Sequence, residues 1–160
     1  MFYRYLSALW AIFLALDSYT QIKEDFDDSL TLSWHGQPEL FTVNDSGELQ
    51  LNDNEAGEAF IVTENRLFDD SVIWEFRLRM DFNPSGSNLS RIYLAADQDD
   101  FLGSLNGFFV QVGDTPDEIS LYRQQDTDVD KLIDGKDDVV DLSSVDARVR
   151  VVRTKAGHWT

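Results

Sequence analysis

The feature that most constrains this chain is a strict alternation of apolar and polar side chains between residues 72 and 82. Its apolar positions share one face: Val72, Trp74, Phe76, Leu78, Met80 and Phe82. The residues between them are mostly charged. A period of two is that of a β-strand with one buried face, whereas a helix repeats every 3.6 residues. We therefore expect a long strand here with its apolar face in a core.

Shorter alternating segments follow the same pattern after Gln21, at residues 47–51, 59–63, 89–96, 107–112, 118–123 and 145–152. Clusters of Asp, Asn, Gly, Ser and Pro separate them, and these residue types favour chain reversals. No ten-residue stretch after Gln21 carries a helical apolar stripe. The pattern predicts an all-β domain over residues 21–160, built as an antiparallel two-sheet sandwich, and the length favours a jelly roll.

The first twenty residues have a different character. Arg4 precedes an apolar run, Leu6–Leu16, in which Ser7 is the one polar residue. A membrane-spanning helix needs roughly 20 apolar residues, so this run is too short and instead fits the apolar region of a secretory signal. We predict a signal peptide over residues 1–20, cleavage near Gln21, and a secreted or cell-surface protein.

The chain is strongly acidic, with a formal net charge of −17. Removing residues 1–20 takes away one basic and one acidic residue, so the charge does not change. Such a charge repels nucleic-acid phosphate and anionic lipid, and we therefore expect neither nucleic acid nor a membrane as partner. The chain has no cysteine, so the exported domain must rely on its core, or on a metal, rather than on disulfides.

The last residues predict a hairpin. A strand over 145–152 leads to a turn at 154–157, and residues 158–160 begin a returning strand. A sandwich that lacks a closing strand exposes an unpaired edge. We therefore expect the domain to be truncated at its C-terminal end and to be followed by further domains of the same chain.

Several scaffold and turn motifs carry a family resemblance: residues 34–36, 41–44, 47–53, 74–76, 81–85, 106–113, 119–124 and 156–160. Over about residues 25–160 the chain resembles the N-terminal region of large bacterial surface proteins exported by a type IX route, many with lamin-tail domains. The resemblance implies a concanavalin A-like, laminin-G-like sandwich. It brings no catalytic signature, and this fold hosts lectins, hydrolases and spacers alike.

Catalytic motifs are weak. A retaining glycosidase needs two carboxylates about 5 Å apart, and the nearest local sequence, 117–123, offers an acidic start followed by Ser, Tyr and Arg. With His35 and His158 as the two histidines, no cysteine and no Gly-x-Ser-x-Gly elbow, the sequence gives no nucleophilic site. We expect no enzyme, with a glycoside hydrolase-related domain as the alternative.

Calcium is the candidate cofactor, because it needs oxygen ligands alone, whereas the shortage of His and Cys disfavours a transition-metal site. The acidic clusters are residues 24–28, 53–55 and 97–100. The third lies in a loop, where Asp97, Asp99 and Asp100 are the candidate ligands. The other interpretation is a solvated loop that keeps an acidic protein soluble.

The candidate ligand-binding residues are Trp34, Arg91, Tyr93, Tyr122 and Arg123. Trp34 lies by an early turn and could stack on a sugar ring; the two Tyr–Arg pairs could share an exposed sheet face. The alternatives are core packing for Trp34 and ordinary cross-strand pairing for the rest. The sequence thus favours a non-catalytic module of a larger surface protein, binding glycan or a cell-surface polymer in adhesion, with a purely structural spacer also open.

Overall fold

The computed structural model describes residues 22–26, 32–64 and 70–160. The predicted signal peptide, residues 1–20, and part of the first acidic cluster lie outside these ranges. Among the described residues there is no helix long and apolar enough to cross a bilayer.

The protein is all-β, and every strand pair is antiparallel. A single short 3-10 helix, Pro38–Leu40, is the one helical element within the described ranges. The ten strands there are β1 (Trp34–Gly36), β2 (Phe41–Val43), β3 (Leu49–Leu51), β4 (Ile61–Thr63), β5 (Val72–Met80), β6 (Ser90–Ala96), β7 (Leu105–Gly113), β8 (Glu118–Asp126), β9 (Asp128–Ile133) and β10 (Val145–Arg153).

Two sheets form the body of the fold. β5 and β10 pair along their full nine-residue length, and β6, β7, β8 and β9 form a four-stranded sheet in that order. Their facing sides share one core, which contains Met80, Val145 and Val151 from the first sheet and Leu94, Val110, Val112 and Leu121 from the second. The arrangement is that of a β-sandwich. Two small pairs, β1–β4 and β2–β3, complete the strands.

The alternation predicted for residues 72–82 is confirmed over β5, whose even-numbered residues are inward and odd-numbered residues exposed. Phe82 is an exception. β5 ends at Met80, and Phe82 is 40% exposed instead of buried with the others. A chain reversal between the predicted segments 107–112 and 118–123 is also found, with the amide of Asp117 donating to the carbonyl of Asp114 at 3.1 Å.

β1, β2 and β9 were not predicted. β9 is the most instructive, because every one of its residues is exposed and its sequence mixes acidic, basic and apolar side chains without alternation. It pairs with the edge of β8 that β7 does not occupy, with Tyr122 opposite Lys131 and Arg123 opposite Asp130.

Candidate functional site

A row of five aromatic rings crosses the four-stranded sheet on the side away from the core. We call Phe60, Phe101, Tyr93, Phe109 and Tyr122 the aromatic row. Successive ring centroids are 5.7, 4.6, 4.9 and 5.2 Å apart, within the range of favourable aromatic contacts. The row runs across the strands, so rings from distant parts of the chain become neighbours.

Strand register explains the three rings of the row that lie on strands. Phe109 of β7 is directly paired with Tyr93 of β6 and with Tyr122 of β8, and paired residues point to the same face. Phe109 is fully buried while the two tyrosines are half-buried. The tyrosine rings therefore flank and cover Phe109 while part of each remains accessible.

The outer end of the row is supplied by loops. Phe101 lies between β6 and β7, and Phe60 immediately precedes β4. Phe60 is held by Gln37, whose backbone amide donates to the Phe60 carbonyl at 3.0 Å and whose side-chain Oε1 accepts from the Phe60 amide at 3.2 Å. A close approach at Gly36 helps: a Cβ there would lie 2.7 Å from the Phe60 ring, and its φ of +95° also favours glycine.

Two cations lie against the row. The Arg91 guanidinium is 5.3 Å from the centre of the Phe109 ring, and Lys131 Nζ is 5.8 Å from that of Tyr122, both within cation–π range. Arg91 Nε also donates to Gln111 Oε1 at 2.9 Å, and Gln111 in turn donates to Asp114 at 2.8 Å. The hydrogen bond to Gln111 therefore holds Arg91 beside the aromatic row, and one of its N–H donors is used within the sheet.

The Lys131 ammonium lies over the Tyr122 ring and is bonded to two carboxylates. It donates to Asp134 at 2.6 Å and to the carboxylate of Glu118. These two hydrogen bonds raise the pKa of Lys131, and the one to Asp134 contributes more than the one to Glu118. The Lys131 cation therefore stays charged at any physiological pH. The Glu118 side chain is 2% exposed, and its Oε2 has no hydrogen-bond partner among the described residues.

The hydroxyl of Tyr93 is fixed by a neighbouring side chain of β8. Tyr93 donates to Gln124 Oε1 at 2.5 Å. Burial raises the pKa of both Tyr93 and Tyr122, so both phenols stay protonated near neutral pH and can donate hydrogen bonds.

Of the five predicted ligand-binding residues, the structure brings Arg91, Tyr93 and Tyr122 together on this face. Arg123 is not with them, and grouping it with Tyr122 was wrong because neighbouring residues of a strand point to opposite faces. Arg123 lies on the core-facing side, where its Nη2 donates to Asp130 at 2.7 Å.

Trp34 lies elsewhere, in a cleft of about 530 Å³ beside the edge of β5 opposite to β10. Its ring is 6.3 Å from that of Phe26, and Glu48, Arg77 and Arg79 line the same cleft. The indole is half-buried, and its Nε1 donates to no acceptor in the described part of the chain. Trp34 is therefore neither a core residue nor a member of the aromatic row.

Two carboxylates of the acidic loop, those of Asp97 and Asp100, accept hydrogen bonds from the protein itself. Both carboxylate oxygens of Asp97 accept from Asn106, one from its backbone amide and one from Nδ2, each at 2.7 Å. Asp100 accepts from the amide of Leu102 at 3.0 Å. In residues 22–26, 32–64 and 70–160 there is no group of three or more acidic, His or Cys side chains arranged to hold a metal ion. Calcium binding by Asp97, Asp99 and Asp100 stays a prediction.

The sequence did not single out Phe60, Phe101, Phe109, Gln124, Lys131 or Glu118. Phe109 could have been found, because the alternation along β7 places it on the same face as Gln111. Phe60 and Phe101 could not, since they lie outside the strands and reach the row through tertiary contacts alone.

Comparison with known proteins adds no relative: no protein-family model, curated protein or solved structure matches this chain.

Proposed function

We propose that this chain is a non-catalytic, glycan-binding module of a larger exported surface protein, acting in adhesion, and that the aromatic row is its binding platform. The fold proposed with it is a concanavalin A-like jelly roll. One observation carries the proposal: two half-exposed tyrosine rings lie on either side of Phe109, with a cation over the row at each side.

Sugar chemistry fits this arrangement. A pyranose ring has an apolar C–H face and a rim of hydroxyls, so it is recognised by an aromatic surface bordered by a few fixed polar groups. Arg91 and Lys131 supply donors beside the rings. A row of rings across several strands also suits an extended sugar chain better than a single small molecule.

The alternatives are a spacer and a hydrolase-related domain. A spacer has no use for half-exposed tyrosines held by hydrogen bonds, which favours the binding module. For a hydrolase, the carboxylates on this face are already engaged: Glu118 holds Lys131, and Asp114 accepts from Gln111.

The test is a glycan array probed with the full chain, followed by titration of any sugar retained. We expect Tyr122→Ala and Arg91→Ala to weaken binding by about tenfold or more, the loss of one good contact. Arg148→Ala is the matched control, because Arg148 is also an exposed strand arginine but lies on the other sheet.

A Trp34→Ala variant separates the two candidate surfaces. If it abolishes binding while Tyr122→Ala does not, the platform is the cleft beside β5 and the aromatic row is structural. A blank array with a chain that melts cooperatively would favour the spacer.

A further inference from the structure

The two cations beside the aromatic row differ in what they already bind. The Lys131 ammonium is held by the carboxylates of Glu118 and Asp134, so its positive charge is more than balanced. The Arg91 guanidinium forms no ion pair within the described residues. A cation that is free to bind a ligand therefore lies on the β6 side of the row, and the β9 side has an excess of negative charge.

Arg91 is unpaired although the chain is rich in carboxylates. The sequence has 30 Asp and Glu residues against 13 Lys and Arg residues. Four other strand arginines contact a carboxylate, at N–O distances between 2.6 and 3.0 Å: Arg77, Arg79, Arg123 and Arg150. Arg91 is exposed, so an anion from outside can reach its guanidinium without displacing a carboxylate of the protein.

The position of the Arg91 guanidinium is fixed before any ligand binds. Its Nε donates to Gln111 Oε1 at 2.9 Å, and Gln111 is itself oriented by donating to Asp114 at 2.8 Å. The guanidinium also lies 5.3 Å from the centre of the Phe109 ring. Both Nη groups remain without an acceptor in the part of the chain that the structure describes. Two N–H donors in this planar group match two oxygens of a carboxylate or of a sulfate ester.

Carboxylates near the aromatic row limit how much negative charge a ligand can carry. Burial raises the pKa of Tyr93, and the charge of Glu58 adds to this rise, so Glu58 lies near that phenol. The four carboxylates close to the row or to its cations are Glu58, Asp114, Glu118 and Asp134. Exposed charges more than about 8 Å apart are largely screened at physiological ionic strength, so these neighbours matter most. They favour one anionic group at Arg91 and neutral sugars elsewhere on the row.

We propose that the glycan bound by the aromatic row carries isolated anionic groups, as a sugar carboxylate or a sulfate ester, and that the Nη groups of Arg91 bind one of them. This ligand class rests on the proposed function of the row as a glycan-binding platform. The anionic group lies on the β6 side, and neutral sugars lie against the rings of Tyr93 and Tyr122. A densely charged polysaccharide is repelled by the four carboxylates.

The test is a glycan array probed with the full chain and built on matched sets. One set is lactose, sialyllactose and sulfated lactose, and the other is chondroitin with its carboxyl-reduced form; heparin represents a densely charged polyanion. We expect an acidic member to bind at least about tenfold more tightly than its neutral partner, through charge-assisted hydrogen bonds, and heparin to bind no better. Sialyllactose and sulfated lactose distinguish recognition of a carboxylate from recognition of a sulfate ester.

The possible outcomes separate the ligand class from the proposed function. Equal affinity for neutral and acidic members would overturn the anionic ligand but leave the glycan-binding module intact. Tightest binding to heparin would also overturn it, because general attraction of polyanions needs no fixed arginine. An array that retains nothing, with a chain that melts cooperatively, would contradict the proposed function, and the anionic ligand would be rejected with it.

Substitutions of Arg91 test its role directly. Arg91→Gln removes the charge, and should lower the affinity for the acidic member at least about tenfold while the affinity for the neutral member changes little. Arg91→Lys keeps the charge but loses the planar pair of donors, and should retain a weaker preference for the acidic member. Both affinities are measured by titration calorimetry.

The control is Arg148→Gln, which changes the net charge by the same amount. Arg148 is also exposed and also forms no ion pair within the described residues, but it lies on the other sheet. Arg148→Gln should keep the full preference for the acidic member. A loss equal to that of Arg91→Gln would mean that net charge alone sets the preference, and the proposal would be wrong.

Discussion

The two outer faces of the sandwich obey the same alternation rule yet have opposite environments. On β5 and β10 the outward residues include Arg77, Arg79, Arg148 and Arg150, which we call the arginine face; all are exposed, and three of them are in ion pairs with neighbouring carboxylates. On the four-stranded sheet the outward residues include Phe109, Gln111, Glu118 and Ser120, and all four are buried.

The difference comes from what lies over each face. The aromatic row and the segment after β9 cover the four-stranded sheet. Gly135 shows how closely that segment approaches: its amide donates to Ser120 Oγ at 2.8 Å, and a Cβ at this position would lie 2.3 Å from the carbonyl oxygen of Ile119. Polar groups on that sheet are therefore desolvated and depend on their partners, whereas those of the arginine face are hydrated.

The largest contrast should come from aromatic truncation. Phe109→Ala removes the one fully buried ring of the aromatic row, and we expect a loss of about 3–5 kcal/mol in the free energy of unfolding, measured by urea denaturation. Phe82→Ala is the matched control, since Phe82 is 40% exposed, and should cost less than about 1 kcal/mol. Equal losses would show that the aromatic row is not packed as tightly as a core.

The next effect is expected at Glu118. Glu118→Ala removes the buried carboxylate that holds Lys131 and leaves the Lys131 ammonium with Asp134; we expect a loss of about 1.5–3 kcal/mol in the free energy of unfolding, that of a hydrogen bond to a charged group. Glu75→Ala breaks an equivalent glutamate pair on the arginine face, where both side chains are more than half exposed, and should change the melting temperature little. If both variants have the same melting temperature, the two faces do not differ in how strongly their charged groups depend on a partner.

A smaller, pH-dependent effect is expected at the loop that carries Phe101. The hydrogen bonds from Asn106 lower the pKa of Asp97 below 3.8. A carboxylate with a lowered pKa stabilises the folded state above its unfolded pKa, and this contribution is lost as the pH falls through the folded value. Asp97→Asn should therefore lower the melting temperature at pH 7 and have a diminishing effect below pH 3.8.

The same loop provides the calcium test. If Asp97, Asp99 and Asp100 bind the ion, a chelator should lower the melting temperature of the full chain, because a ligand of the native state alone adds stability by mass action. Identical melting curves with calcium and with chelator would contradict the calcium prediction.

The smallest effect is expected on the arginine face itself. Arg77 makes two hydrogen bonds to Asp146, at 2.7 and 2.6 Å, but both side chains are about half exposed. Arg77→Ala should leave the melting temperature within error of the unaltered chain, at low and high salt alike. A clear, salt-sensitive drop would show that this face contributes more than a hydrated pair.

Features that depend on consecutive residues could be predicted from the sequence, whereas features that depend on contacts between distant residues could not. The alternation of β5 defined its buried face, because strand periodicity is a property of consecutive residues. The environment of Glu118 could not be predicted, since its partner Lys131 comes from a strand whose own sequence has no pattern. For the candidate platform, Tyr93 and Tyr122 were recognised by residue type, but their common neighbour Phe109 depends on register, and Phe60 and Phe101 depend on loop placement.

The way β5 and β10 are paired has a mechanical consequence. β5 begins at Val72 and β10 ends at Arg153, and these two residues are opposite each other at one end of the ladder, with Met80 and Val145 at the other. Tension applied through the chain before Val72 and after Arg153 would therefore enter and leave at the same end. The nine pairs would open one after another, like a zipper, instead of resisting together in shear, so this pair of strands would yield at low force and lengthen under load.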